Sequence, residues 1–289
     1  MGASLARSLG KLPFRWLQLT RSRQRLLLMA GVSAGFGSLF GTPVAGALFG
    51  MEVIAIGKLH YEGLVICTVA SFVGHGAAQV LGVQHEVYAV AVPGLDALLA
   101  LKLLAFALPV AAVAAGFTEL SHGLAKWTND RFEPRWWLRP LVGGLLLAAL
   151  FSVFRDEGFR NLGLPFLDQI FHRHGPVLPW AVALKFSLTV ITIGFGFKGG
   201  EVTPLFVIGA LLGATLAPLV GLPPTYLAAL GFVSLFASAS NTPLASTLLG
   251  VELFGAAFAG PLVLICFPAY VLVGHRGIYG ASRIALSKD

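Results

Sequence analysis

The run GFGFKGGEVTPLFVIGALLG, residues 194–213, is apolar except for Lys198 and one carboxylate, Glu201. A charge inside a membrane segment costs several kcal/mol. Gly199, Gly200 and Pro204 surround this one, and all three are residues that weaken a helix. An acid where a helix is least able to form suits anion and proton chemistry. The first turn of a helix has unpaired N–H groups and a partial positive charge. An anion at that end is stabilised without a full countercharge. Gly199 and Gly200 allow an unwound approach, and Pro204 fits an early helical position where no donor is lost. Glu201 is tolerated at such a terminus and can also take a proton. The helix end and the apolar surroundings act in opposite senses on its ionisation, which suits an acid that exchanges protons.

The elements that position this acid belong to a membrane protein. Of 289 residues, 56% are hydrophobic and 11% charged, and the mean hydropathy is +0.82. A soluble domain carries about 25% charged residues. Apolar runs recur at roughly 26–57, 64–83, 97–118, 136–154, 177–197, 202–221, 226–251 and 256–274. Each approaches the ~20 residues of a bilayer crossing. With 35 Gly and 16 Pro, several runs read as broken helices. Such breaks persist in lipid only where protein or a water-filled cavity satisfies the freed backbone. The net charge of +7 reads as the ordinary basic excess of cytoplasmic loops. No basic face lies on a soluble domain, so nucleic acid is not an expected partner. Cys67 and Cys266 lie in separate apolar runs, which argues against a structural disulfide or a CxxC-type metal site.

The chain repeats itself. GVSAGFGSLFGTPVAGALFGMEV (31–53) aligns with GFVSLFASASNTPLASTLLGVEL (231–253) without gaps, and nine of 23 positions match. The shared core is T-P-[VL]-A-x-x-L-x-G-x-E, ending at Glu52 and Glu252. MGASLA at the start also resembles IGALLGA at 208–214. The loop that follows in the first copy, 7–25, carries Arg7, Lys11, Arg15, Arg21, Arg23 and Arg25 and no acid, whereas its counterpart APLVGLPPTY (217–226) carries no charge. The positive-inside rule puts the first loop in the cytoplasm and the second outside. Equivalent loops on opposite faces define an inverted repeat, a transporter architecture. The second copy contains FKGGEVTPLFV (197–207) ahead of its matched segment, and the first has no counterpart after Met1.

FKGGEVTPLFVIGALLGA, FGTPVAGALFGMEV and ASNTPLASTLLGVEL resemble three regions of the CLC family of chloride channels and anion/proton antiporters. The resemblance covers essentially this whole chain and the later two-thirds of a full family member. It implies an all-α polytopic fold of the CLC inverted-repeat type with broken helices. Residues 1–289 are then a single partial transmembrane domain: a first-repeat remnant at about 1–83, a second repeat at about 97–274, and a short C-terminal helix at about 276–287 containing GIYGAS (277–282). The family's Gly-Arg-Glu-Gly segment, with its gating glutamate, is expected immediately before Met1, and the early serine-containing loop has no match. The resemblance places anion contacts at Gly200, Glu201, Val202, Thr203 and the Tyr279 hydroxyl, and proton coupling at Glu201. Glu-Val-Thr-Pro at 201–204 is similar to the fluoride/proton antiporter branch. The pair Glu52-Val53 lacks the second acid that many chloride/proton exchangers carry as an internal proton site. The implied function is anion/proton antiport with fluoride favoured over chloride. The alternatives are a chloride channel or chloride transporter of the same family, and a non-conducting truncated remnant. The implied partners are a halide anion, a proton, the lipid bilayer and a second copy in a homodimer, with no cofactor or metal, in a bacterial inner membrane.

Plainer readings stand beside these. Glu201 has a possible ion-pair partner in Lys198. Glu52 and Glu252, at the ends of apolar runs, suit structural hydrogen bonding or interfacial exposure. Thr42-Pro43 and Thr242-Pro243 read as helix starts or kinks, Tyr279 as an interfacial tyrosine, and His172 and His174 as a lone H-x-H. A membrane-embedded enzyme would need a cluster of His, Asp, Glu or Cys around one site, and the acids of this chain are scattered.

Overall fold

The computed structural model describes residues 20–279 and 283–284. The first repeat contributes Arg21–Phe40 (α1), Pro43–Glu52 (α2), the short strand Ala55–Ile56 (β1) and Leu64–Val80 (α3). The long helix Ala97–Phe132 (α4) follows, then Leu138–Val153 (α5), Leu164–Phe171 (α6) and Ala181–Gly194 (α7). The second repeat ends in Val202–Val220 (α8), Pro224–Ser240 (α9), Pro243–Phe254 (α10) and Ala259–Val273 (α11), and Arg283–Ile284 (β2) comes last. Among the described residues four helical stretches, Tyr61–Val80, Ala97–Arg135, Val202–Val220 and Ala256–Val273, are long and apolar enough to cross a membrane. The fold is all-α and polytopic, as the hydropathy predicts.

Two of the long apolar runs are each two helices. The run 26–57 breaks after α1 at Gly41, whose φ of 71° is left-handed, and α2 restarts with Pro43 in its first turn. The run 226–251 breaks at the equivalent place. Asn241 ends α9 at φ 58°, and α10 restarts at Pro243. Glycine and asparagine are the residues that end helices in this conformation, and proline is accepted at a helix start because no donor is lost. The Thr-Pro pairs are thus helix starts.

The two restarted helices cap each other. Val44 N and Ala45 N, at the start of α2, donate to the Glu252 carboxylate at 3.0 and 2.7 Å. Leu244 N and Ala245 N, at the start of α10, donate to the Glu52 carboxylate at 3.1 and 2.7 Å. Each repeat supplies the acid that satisfies the other's orphan amides. Of the two readings of these glutamates, structural hydrogen bonding is the one observed.

Close packing needs the glycines between α8 and α9. Gly209 and Gly213 stand one turn apart on α8. A Cβ on either would collide with a carbonyl oxygen of α9, at Gly231 and Leu227 respectively. Small residues at this spacing let membrane helices approach backbone to backbone. Every residue from Tyr226 to Ser240 on α9 is buried, as befits a helix apolar on all sides.

The ends of the helices fix their direction. Arg25 at the start of α1 bonds His60, just before α3, so α1 and α3 begin on one face. The start of α4 lies beside the end of α8, where a Cβ on Gly221 would lie 3.9 Å from Lys102 Nζ.

Three differences from the sequence reading follow. The run 97–118 continues as helix to Phe132, because the charged residues Glu119, Lys126, Asp130 and Arg131 occupy exposed positions without breaking it. The helix α6 has no counterpart among the apolar runs, being only eight residues long. In place of a helix at about 276–287, residues 276–279 form a loop and Arg283–Ile284 pairs in parallel with Ala55–Ile56. The rest of that range and residues 7–19 lie outside the described residues.

Candidate functional site

The α7 helix ends at Gly194, and α8 starts eight residues later. The linker between them turns at Gly196, whose φ is 86°. Its beginning is fixed by one carbonyl, Gly194 O, which accepts from Thr128 Oγ1 on α4 and from Arg139 Nη2 on α5, the latter at 3.0 Å. Gly199 and Gly200 are not in a left-handed conformation, and a Cβ on either would meet nothing within 4 Å. Neither backbone strain nor crowding explains this glycine pair. What it leaves is bare backbone beside open space.

Glu201 is the N-cap of α8, and its side chain makes no capping bond. Its carbonyl accepts from Leu205 N at 3.2 Å. The amides of the first turn, at Val202 and Thr203, have no intrahelical acceptor, and Pro204 carries no donor. Glu201, Val202 and Thr203 are half-buried. Among the described residues Lys198 forms no ion pair with Glu201. A half-buried carboxylate thus stands at a positive helix end that its side chain does not cap.

Tyr279 reaches the same place from the far end of the sequence. It lies within electrostatic reach of Glu201. Its loop is held on the end of α9, where Ile278 N donates to Ala239 O at 2.9 Å and Asn241 Nδ2 donates to Arg276 O at 2.8 Å. The β1–β2 pairing holds the chain just beyond it. Arg276 is also ion-paired with Glu119 on α4. A wall of rings links Tyr279 back to α8. Tyr279 meets Phe49 edge-on with centroids 6.3 Å apart, Phe49 lies 5.7 Å from Phe236, and Phe236 lies 5.1 Å from Phe206. Aromatic rings present a positive edge and a negative face. Of the expected site residues, Gly200, Glu201, Val202 and Thr203 are adjacent at the α8 start, and Tyr279 joins them in space.

Sequence reasoning missed the tether residue Asn241 and the α4 residues Glu119 and His122. Asn241 had a legible signal, an asparagine directly before Thr-Pro at the end of an apolar run. Glu119 and His122 had none, because they lie past the run's apparent end. Elsewhere, Cys67 and Cys266 are both free and buried. His172 pairs with Asp168 at 3.3 Å and approaches Glu86 at 3.9 Å. No cluster suited to a metal ion exists among the described residues.

Capped half-helices related by an inverted repeat, with an uncapped one between them, define a membrane protein of the CLC type. The family profile described as Voltage gated chloride channel matches residues 1–274, and the chain belongs to that family. The chain is 41% identical over 297 residues to a protein named "Chloride/fluoride channel protein" from Pseudomonas syringae pv. tomato, covering 100% of this chain and 64% of the relative. It therefore spans somewhat under two-thirds of that relative's length. The crystal structure of a CLC-type fluoride/proton antiporter superposes with a TM-score of 0.92 at 35% identity, covering 98% of this chain and 70% of the other. A slow cyanobacterial Cl-/H+ antiporter shares the fold at a TM-score of 0.70 and 22% identity, covering 94% of this chain and 66% of the other.

Proposed function

We propose that the protein moves anions across the membrane by exchange against protons, with fluoride favoured over chloride. The observation that carries this reading is the uncapped start of α8. There, amides without acceptors, a half-buried titratable carboxylate at Glu201 and the Tyr279 hydroxyl converge. Gly200, Val202 and Thr203 offer backbone and hydroxyl donors to the anion. Glu201 alternates between ionised and protonated forms, competing with the anion for the helix end when charged and yielding it when neutral. The similarity to a protein named for chloride and fluoride, and to a fluoride/proton antiporter, supports the choice of ions. A homodimer in a bacterial inner membrane is part of the same proposal, as the family resemblance implies. Exposed Val65, Val69, Phe72 and Leu244 provide apolar surface for lipid or a second subunit.

The test is Glu201→Gln in the full-length protein reconstituted into liposomes. The amide keeps the shape and removes the titration. Fluoride-driven proton uptake should fall to background while expression and assembly persist. Undiminished coupled exchange would rule out the proton role. Robust chloride flux in the parent, without preference for fluoride, would overturn the choice of ion.

A further inference from the structure

We infer that His122 is a proton relay that carries protons between Glu201 and the membrane face at the C-terminal end of α4. The inference rests on the proposed role of Glu201 and extends it to the route its proton takes.

The geometry begins with two antiparallel helices. The start of α4 meets the end of α8, since a Cβ on Gly221 would lie 3.9 Å from Lys102 Nζ. At its other end α4 packs on the linker that leads into α8. Thr128 Oγ1 binds Gly194 O, and a Cβ on Gly194 would strike the Leu124 side chain. At a rise of 1.5 Å per residue, His122 lies about 30 Å along α4 from Lys102, and Glu201 about 30 Å along α8 from Gly221. The imidazole and the carboxylate are therefore level. A separate contact places the same face of α4 at the site. Glu119, one helical turn before His122, is ion-paired to Arg276 in the loop that delivers Tyr279. His122 and Glu201 lie within electrostatic reach of each other. His122 is exposed, and α4 runs on past it to Phe132.

The chemistry of the neighbours leaves this role to His122. Its own helix carries Glu119 and Lys126. The approach to α8 carries Lys198 and Glu201, α5 carries Arg139, and the final loop carries His275, Arg276 and Tyr279. Lysine, arginine and tyrosine keep their protons at neutral pH. Glu119 is held in its ion pair with Arg276. Histidine is the side chain whose ordinary titration falls near neutrality, and His122 is within electrostatic reach of Glu201. In the transfer, one imidazole nitrogen of His122 takes a proton from hydronium in the water at that face, releasing a neutral water molecule. The imidazolium passes a proton to the Glu201 carboxylate, which becomes the neutral acid, and the ring returns to neutral. No direct hydrogen bond joins the two groups, so the proton crosses by way of water.

The experiment measures fluoride-driven proton uptake in liposomes for the full-length parent, His122→Gln and His122→Ala between pH 5.5 and 8. Both variants should slow uptake about 100-fold, the lower end of what a placed proton-transfer group contributes. The parent's rate should show an inflection within this pH range, and the variants should lose that inflection. Imidazole buffer should restore uptake in His122→Ala. Parent-like rates and pH profiles in both variants would overturn the relay, as would a loss that keeps the inflection and resists imidazole. Glu201→Gln run alongside separates the two failures. If it abolishes uptake while the His122 variants behave like the parent, only the relay falls. If it leaves uptake intact, the reading of Glu201 falls first.

Discussion

Three helices start inside this protein beside a glutamate, and the chain treats two of them differently from the third. At α2 and α10 the acid comes from the other repeat and clamps two backbone amides, with its shortest contact at 2.7 Å in each case. At α8 the acid is the N-cap residue itself and clamps nothing. The same electrostatics act at all three ends, a concentration of unpaired N–H groups that attracts negative charge. A helix end filled by an internal carboxylate becomes a structural joint. In the function proposed above, the end without such a clamp is where another anion sits. On that reading, placement of the carboxylate, more than its presence, separates structure from transport.

That comparison breaks most sharply at Glu52. Glu52→Ala strips both partners from two amides at a buried carboxylate. At about 1.5–3 kcal/mol per hydrogen bond to a charged group, the loss is about 3–6 kcal/mol. We expect little monodisperse protein by size-exclusion chromatography, with partial recovery in Glu52→Gln, which keeps one acceptor. Glu252→Ala should follow in the same direction but less severely, because Val44 is 43% exposed and its amide lies near solvent or headgroups. If either alanine variant assembled normally and lost only anion transport, the division between joints and sites would be wrong.

A second variant sharpens the contrast on the side of the site. Asn241→Gly keeps the left-handed backbone that ends α9 but removes the bond to Arg276 O. One neutral hydrogen bond contributes about 1 kcal/mol, so the fold should survive. The Tyr279 loop should loosen, seen as faster proteolysis after residue 274 and a higher anion concentration for half-maximal flux, with proton stoichiometry unchanged. A change in stoichiometry alone would place Asn241 in the proton route instead.

The smallest effect is expected at His60, a joint outside the membrane-spanning helices. Arg25 Nη2 donates to His60 Nε2 at 2.6 Å, and His60 Nδ1 lies 3.3 Å from Glu62. Burial first, and the Arg25 charge second, hold the ring's pKa below its ordinary 6.5, with Lys58 adding in the same sense and Glu62 opposing. A depressed histidine pKa means that the folded state prefers the neutral ring. The stability it contributes is intact above the ordinary value and is lost as pH falls through and below it. The apparent melting temperature in detergent should drop by a few degrees between pH 7.5 and 5.5. His60→Gln should flatten that dependence, and an unchanged slope would remove His60 from the joint.

Much of this was legible in the sequence, and the parts that were not share a physical reason. Thr42-Pro43 and Thr242-Pro243 announced helix starts because proline has few other places in a buried helix. The matched glutamates at 52 and 252 announced a structural role through their repetition. Their crossed partnership was invisible, because periodicity describes a segment's faces and says nothing about which distant backbone it meets. The lower half of α4 was hidden for a related reason. Glu119, His122 and Lys126 make it read as the end of an apolar run, yet a helix that leaves the lipid still satisfies its own backbone. The α6 helix, at eight residues, was too short for an apolar run to reveal. Tyr279 was legible as a residue but not as a loop, since its position depends on bonds to Ala239 and Asn241 and on a two-residue sheet with Ala55–Ile56.

The crossed caps also set a timetable for synthesis. Glu52 emerges from the ribosome 192 residues before Leu244, and Val44 emerges 208 residues before Glu252. Until the second half is made, the first carries an unmatched carboxylate and unmatched amides in or beside the lipid, where neither is comfortable. Contacts of such long range form late and slowly. The joint can therefore close only after the second repeat has been made. A ribosome stalled between residues 60 and 240 should yield a first repeat that is still extractable or protease-sensitive, which makes this joint a quality-control point as well as a structural one.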